Sequence, residues 1–280
     1  MSNDEDDVFS ECTQYAVRDG TYCPVESTDK TLPSVPFTIL VHPDGTPSLS
    51  PTPIPDNDYI IQMADRVTDE VVADIEKFWT LREVYDRLGV VYKRGVLLYG
   101  EPGTGKSTTL NAVMSAMLER FGVVVVLEQS DPADLCTLLK KVRQVEPDRP
   151  IVVVMEDLDS VISSYGTRKI LSLMDGENQI DNVCYIATTN YLDELPDTVK
   201  NRPSRFDRVF HVGLPSAEAR RTYLLAKGID EADIFRWIRC TEGFSVAHMK
   251  ALVIDVQCFG YDLETSARHL RSMNNSSETT

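Results

Sequence analysis

No stretch of apolar residues approaches the roughly 20 that a membrane-spanning helix needs. The first acidic residues, Asp4, Glu5, Asp6 and Asp7, carry the opposite charge to a secretory or mitochondrial leader. A soluble, cytoplasmic protein with no membrane segment is therefore expected. The six cysteines, Cys12, Cys23, Cys136, Cys184, Cys240 and Cys258, form no CxxC pair, and His42, His211, His248 and His269 stand at no metal-ligand spacing. That argues against a metal site of Cys and His, and the thiols read as reduced. Lys and Arg form no run long enough for a basic stripe, and the formal net charge is −16, so a nucleic-acid backbone would be repelled. Nucleic acid is thus a disfavoured partner. No internal repeat is visible.

What remains is a chain of 280 residues, 42% apolar, which is long enough to bury one substantial core and a small second domain. Residues 1–66 are rich in Ser, Thr and Pro and read as an irregular N-terminal arm or small appendage. Within it Phe37 to Val41 is strand-like, and His42-Pro43-Asp44-Gly45 is a turn that would fold back a second short strand near Leu49; a partly disordered arm is the alternative. From Thr68 the spacing turns helical, with a stripe from Val71 to Tyr85 that stops near Gly89, predicting one long helix. Val96–Tyr99, Val123–Leu127, Ile151–Met155 and Val183–Ala187 are short β-branched runs of the kind buried on both faces of a parallel sheet. Helical segments at Thr108–Arg120, Asp134–Val145 and Thr167–Leu173 separate them, giving βαβ alternation. After Leu214-Pro215 three helical segments, Ala217–Lys227, Glu231–Arg239 and Ala247–Phe259, suggest a small helical lid domain. The expected division is an arm (1–66), an α/β P-loop core (67–214) and a helical lid with tail (215–280).

Gly100-Glu101-Pro102-Gly103-Thr104-Gly105-Lys106-Ser107 satisfies GxxxxGK[ST] between a strand and a helix beginning near Thr108, the context that the phosphate loop requires. Its glycines let successive N–H groups turn into one concavity, and the helix dipole adds positive potential there. These eight residues and Thr108 are the candidate ATP contacts. Lys106 would reach the β- and γ-phosphates, and the Ser107 hydroxyl is a hard oxygen ligand for Mg2+. The strand Ile151–Met155 ends in Glu156-Asp157-Leu158-Asp159, which delivers carboxylates to the edge of the sheet beside that loop. Glu156 is the candidate to anchor Mg2+ and Asp157 to orient or deprotonate the attacking water; a solvated acidic turn is the alternative.

Val183–Ala187 leads into Thr188-Thr189-Asn190, where Asn190 would hold the lytic water or the γ-phosphate, unless it only caps a turn. Three arginines crowd into Arg202-Pro203-Ser204-Arg205-Phe206-Asp207-Arg208 and would be hard to bury inside one subunit. Arg205 and Arg208 are candidates to reach the γ-phosphate of a neighbouring subunit, surface ion pairs being the alternative.

Taken in order, GEPGTGKS, the strand closed by EDLD, ATTN and RPSRFDR resemble the Walker A, Walker B, sensor 1 and arginine-finger regions of AAA ATPases. The likeness runs from about Asp65 to Gly228, and more weakly over Thr241–Leu252. It is nearest to the branch containing the mitochondrial Rieske-protein translocase, which shares the Glu-Asp order. The resemblance implies a homo-oligomeric ring of six or seven subunits, with ATP hydrolysed at each interface to drive chaperone-like remodelling of a macromolecule, most plausibly protein. Three departures accompany it. The family's usual Asp-Glu is Glu156-Asp157 here, so the base is one methylene shorter, about 1.5 Å of reach, unless the loop compensates. Glu128–Leu135 lacks the aromatic-hydrophobic-Gly signature that grips peptides in a central pore, leaving Tyr165-Gly166 in another loop as a weak substitute. The N-terminal segment lacks the relative's membrane helix. A nucleotide-gated assembly module with little turnover and a nucleic-acid loader are the competing functions.

Overall fold

A computed structural model describes residues 14–18, 21–25, 28–53, 66–120, 122–128, 130–175, 179–200 and 205–277. The acidic residues 4–7, Cys12, Gly176 and Arg202 lie outside them.

The chain begins with an antiparallel pair, β1 (Gln14–Arg18) and β2 (Thr21–Val25), and a second hairpin, β3 (Pro36–Val41) and β4 (Pro47–Pro51). Helices α1 (Arg66–Phe78) and α2 (Arg82–Leu88) precede β5 (Lys93–Tyr99) and α3 (Lys106–Glu119). Then come β6 (Val123–Leu127), α4 (Pro132–Val145), β7 (Ile151–Met155), α5 (Leu158–Tyr165), α6 (Thr167–Asp175) and β8 (Val183–Thr189). The short α7 (Asp197–Lys200) leads to β9 (Arg208–His211). Four helices close the chain: α8 (Ala217–Ala226), α9 (Ile234–Cys240), α10 (Val246–Gln257) and α11 (Leu263–Ser277).

Seven strands form one sheet in the order β4-β3-β6-β7-β8-β5-β9, parallel throughout except for β4. This is the α/β architecture expected. The strand period of two sorts the sheet's side chains onto two faces, both covered. Val123, Val125, Leu127, Ile151, Val153 and Met155 pack toward α4, α5 and α6. Val124, Val152, Val154, Cys184, Ile186 and Leu98 pack toward α1 and α3. A separate core around Tyr223, Leu224, Trp237, Phe244, Met249 and Leu252 holds α8 to α11 together, where the sequence suggested a helical lid.

Three features depart from the sequence expectation. The β3–β4 hairpin forms where the turn signal places it, but it extends the core sheet instead of standing apart as an appendage. Pro36, Phe37 and Thr38 pair with Val124, Val125 and Val126 in parallel register. The reason is apolar burial, since Phe37 is 2% exposed inside the core. Second, the long helix is broken into α1 and α2. Its ladder tightens at the break, where Thr80 and Leu81 donate to the carbonyls of Lys77 and Phe78, and the Thr80 hydroxyl also takes the Lys77 carbonyl at 2.7 Å. Third, β9, α5 and α11 carried no recognised signal.

The sheet's outer strand β4 is protected against further pairing. Thr52 N donates to Pro36 O and His42 N to Thr46 O, so the even-numbered residues face β3 and Pro47, Leu49 and Pro51 face outward. Two of these three have no N–H to offer.

Because Phe37 is part of the core, F37A should destabilise the whole α/β unit by about 3–5 kcal/mol. Urea unfolding followed by tryptophan fluorescence should show one transition shifted to lower denaturant; an unshifted midpoint would mean that the hairpin contributes nothing to the core.

Candidate functional site

The C-terminal ends of β5, β7 and β8 are adjacent in the sheet, so the segments that follow them meet at one edge. After β5 the chain turns through Gly103 (φ 75°) and Gly105 (φ 114°), both in the left-handed region that glycine adopts without steric cost. Gly105 caps α3, whose first residue is Lys106. The Lys106 side chain is 7% exposed and folds back over the loop, with Nζ donating to the carbonyls of Gly100 at 2.7 Å and Glu101 at 2.9 Å. Burial lowers the pKa of its ammonium, and the carboxylates of Asp157 and Asp159 act in the opposite sense. Thr104 is buried, its hydroxyl donating to the Glu101 carbonyl at 2.9 Å. Glu101 and Pro102 are exposed at the turn, and Ser107 and Thr108 lie in the first turn of α3.

Ser107 Oγ donates to Glu156 Oε2 at 3.2 Å, so the two proposed metal ligands stand side by side. Burial pushes the Glu156 carboxyl above its ordinary pKa; the Ser107 hydrogen bond opposes this, while Asp157 and Glu128 add to it. Two neighbouring hard oxygens and a carboxylate under negative pressure suit Mg2+, which keeps most of its water shell and takes one or two protein oxygens. Among the described residues no group of three or more His, Cys, Asp or Glu stands at metal-ligand spacing. That fits an ion completed by phosphate and water better than an all-protein cage. Asp157 and Glu156 also line a cleft of about 720 Å3 with Glu128, Ser160, Ser164 and Tyr165, which gives solvent a route to the Asp157 carboxylate.

Asp157 begins α5 with φ 48° and ψ 59°, a left-handed conformation at a non-glycine residue. The neighbouring strand end surrounds it. Asp157 N donates to Thr188 Oγ1 at 3.1 Å, and Asn190 Nδ2 reaches Asp157 Oδ1 at 3.4 Å. Thr189 Oγ1 donates to Asp159 Oδ1 at 2.8 Å and accepts from Tyr191 N at 3.1 Å. Asn190 is thus brought to the acidic strand end as expected. The two threonines before it were not expected to contribute; a hydroxyl beside a strand end carries no sequence signal of its own.

The arginines divide. Arg205 is 6% exposed, and its Nε donates to Asp175 Oδ2 at 2.6 Å, so this arginine, expected to be hard to bury inside one subunit, is buried there as an ion pair. Asp175, at the end of α6, supplies the counter-charge and also pairs with Lys93 at 3.3 Å. Yet Arg205 Nη1 is buried with no hydrogen-bond partner among the described residues. Arg208 is half-exposed, 3.7 Å from Asp74, with its guanidinium over the Phe210 ring. It opens β9 opposite Val96, three residues short of Tyr99, about 10 Å along the strand from the edge bearing its own phosphate loop. Neither arginine is brought to the site of its own subunit.

The lid touches the phosphate loop directly. Ser245 caps α10, its Oγ accepting from His248 N at 3.3 Å and bonding to His248 Nδ1 at 2.7 Å. Ala247 N donates to Gly103 O at 3.3 Å, and a Cβ at Gly103 would stand 2.8 Å from the Ala247 Cβ. Gly103 is therefore needed for this approach as well as for its turn.

A family model described as the ATPase family associated with various cellular activities (AAA) matches residues 96–214. The proteasome-activating nucleotidase of Aeropyrum pernix is 32% identical over 193 residues, covering 61% of this chain and 47% of its own length. The protein of the same name from Methanosarcina mazei is 31% identical over 219 residues, covering 70% and 51%. The ATP-dependent zinc metalloprotease FtsH 2 of a Thermoanaerobacter species is 28% identical over 215 residues, covering 67% and 40%. The chain spans about half the length of the curated relatives it matches. The matched stretch runs from within β5 through the phosphate loop, the acidic strand end and Asn190 past the close of β9, so over these residues the chain is similar to the AAA family.

Proposed function

We propose that this chain is an ATPase that binds ATP with Mg2+ at the C-terminal edge of its sheet and hydrolyses it at an interface between copies, to remodel a protein or protein complex. The observation that carries the reading is the convergence of Lys106, Ser107, Glu156, Asp157 and Asn190 on one edge while Arg205 and Arg208 stand away from it.

On triphosphate binding the Lys106 ammonium exchanges two loop carbonyls for phosphate oxygens, which are stronger, charged acceptors. The loop N–H groups and the start of α3 hold the remaining phosphate charge. Ser107 and Glu156 would hold the metal, which would supply positive charge against the phosphates. Asp157 accepts the proton of a water entering from the adjacent cleft, and Asn190 orients that water with its amide. An arginine must then come from another copy. Arg208 is the accessible candidate, since its side chain is half-exposed, whereas Arg205 is buried against Asp175 of its own chain.

A phosphate loop at one edge and arginines away from it make a head-to-tail interface, which closes into a ring when the rotation allows. A ring of six or seven copies follows from the resemblance. The names of the nucleotidase and protease relatives support a protein substrate. Within the family we place the chain near the Rieske-translocase branch on its Glu156-Asp157 order. The absence of an aromatic at Glu128–Leu135 favours the second reading, an ATP-gated assembly module, and measurable turnover with a partner separates the two.

K106A is expected to abolish binding of a fluorescent ATP analogue, and retained affinity would refute the phosphate site. D157N should bind ATP within a few-fold of wild type but release phosphate about 10²–10⁴ times more slowly. Mixing tests the shared interface: R208A and K106A, each inactive alone, should recover about one quarter of wild-type turnover in equal mixture, because a head-to-tail interface can draw its two halves from different copies. No recovery on mixing, with co-assembly shown by sedimentation, would place the active arginine elsewhere.

A further inference from the structure

The Glu156-Asp157 order puts the shorter carboxylate where water must be activated, and the backbone at that point is strained. Asp157 is held at φ 48°, a left-handed conformation that is uncommon for a residue with a Cβ, though Asp adopts it more readily than most. Two restraints are present. On one side the Asp157 carbonyl accepts from Ser160 N at 2.8 Å and Val161 N at 3.2 Å as α5 begins, which any helix start would provide. On the other side Asp157 N donates to Thr188 Oγ1 at 3.1 Å, a contact between two strand ends 31 residues apart in sequence.

Thr188 is suited to hold a group still. It is 2% exposed, and its backbone lies within the β5–β8 ladder opposite Leu98. A β-branched side chain on a buried strand has little rotamer freedom, so its Oγ1 is a fixed acceptor. Without that acceptor the Asp157 N–H would lose its partner, and the turn could relax toward ordinary backbone angles. The carboxylate would then move away from Asn190 and from the region of Lys106.

We infer that Thr188 is a positioning residue for the proposed base: its hydroxyl clamps the left-handed turn at Asp157 and so compensates for the missing methylene in that side chain. The inference rests on the hydrolytic reading of the site, but the clamp can be measured apart from it. The Thr188 side chain is buried and its hydroxyl is engaged by the Asp157 N–H, so it acts through Asp157.

The test compares T188V, which keeps the shape and removes the acceptor, with T188S, which keeps the acceptor. In the full-length protein T188V should lower kcat roughly tenfold and leave KM and ATP affinity within about twofold, because binding groups are untouched. T188S should restore at least about half of the lost rate. In nucleotide-free protein the Asp157 amide should exchange with deuterium about tenfold faster in T188V than in wild type or T188S. If T188V does not fold, T188A replaces it in the same comparison. Wild-type kcat with unchanged Asp157 exchange in T188V would overturn the clamp, as would equal loss in T188V and T188S, which would point to packing. If wild-type protein itself releases no phosphate, the hydrolytic reading falls, and the exchange rates still decide whether the hydroxyl holds the turn.

Discussion

Charge balance at one edge of the sheet is the constraint on which the rest of the site depends. The Lys106 ammonium is buried against its own loop, with the carboxylates of Asp157 and Asp159 acting on it. Glu156 sits close by, its carboxyl pushed toward the protonated form by burial and, less, by Asp157 and Glu128. In a chain with a formal net charge of −16, this is an adverse place to bring a polyanion. The geometry resolves the conflict in space. N–H groups and Lys106 gather on the loop side, hard oxygens gather at Ser107 and Glu156, and the arginines are kept away. Positive charge can then be supplied in stages, and the site is incomplete until it has been.

The sequence revealed what is local and left obscure what depends on contact between distant segments. The phosphate loop was legible because turn, dipole and Lys106 lie within eight consecutive residues. The buried strands were legible because continuous runs such as Ile151–Met155 belong to a sheet covered on both faces. Pairing partners were another matter. Nothing in Phe37–Val41 says that it lies beside Val124–Val126, so the hairpin looked like an appendage. Arg205 was misjudged for the same reason, since Asp175 lies 30 residues away in sequence and its proximity exists only in the fold. Thr188 and Thr189 were read as little more than an approach to Asn190, although each holds an aspartate of the acidic strand end.

The lid is joined to the same chemistry by a small contact. Gly103 and Ala247 meet so closely that neither backbone can shift without the other noticing, and Ser245 fixes the start of the helix that bears Ala247. The helices packed around Trp237 and Met249 form one core, so the contact at Ala247 ties that core to the phosphate loop.

The prolines of β4 bear on what such a protein can safely handle. Remodelling a polypeptide means holding stretches of it extended, and an extended chain will anneal to any sheet margin that offers a ladder of donors and acceptors. Here Pro47 and Pro51 leave the Leu49 amide as the donor along that margin. A passing strand would gain few bonds there, so under the proposed remodelling function an extended client would not be held at this margin.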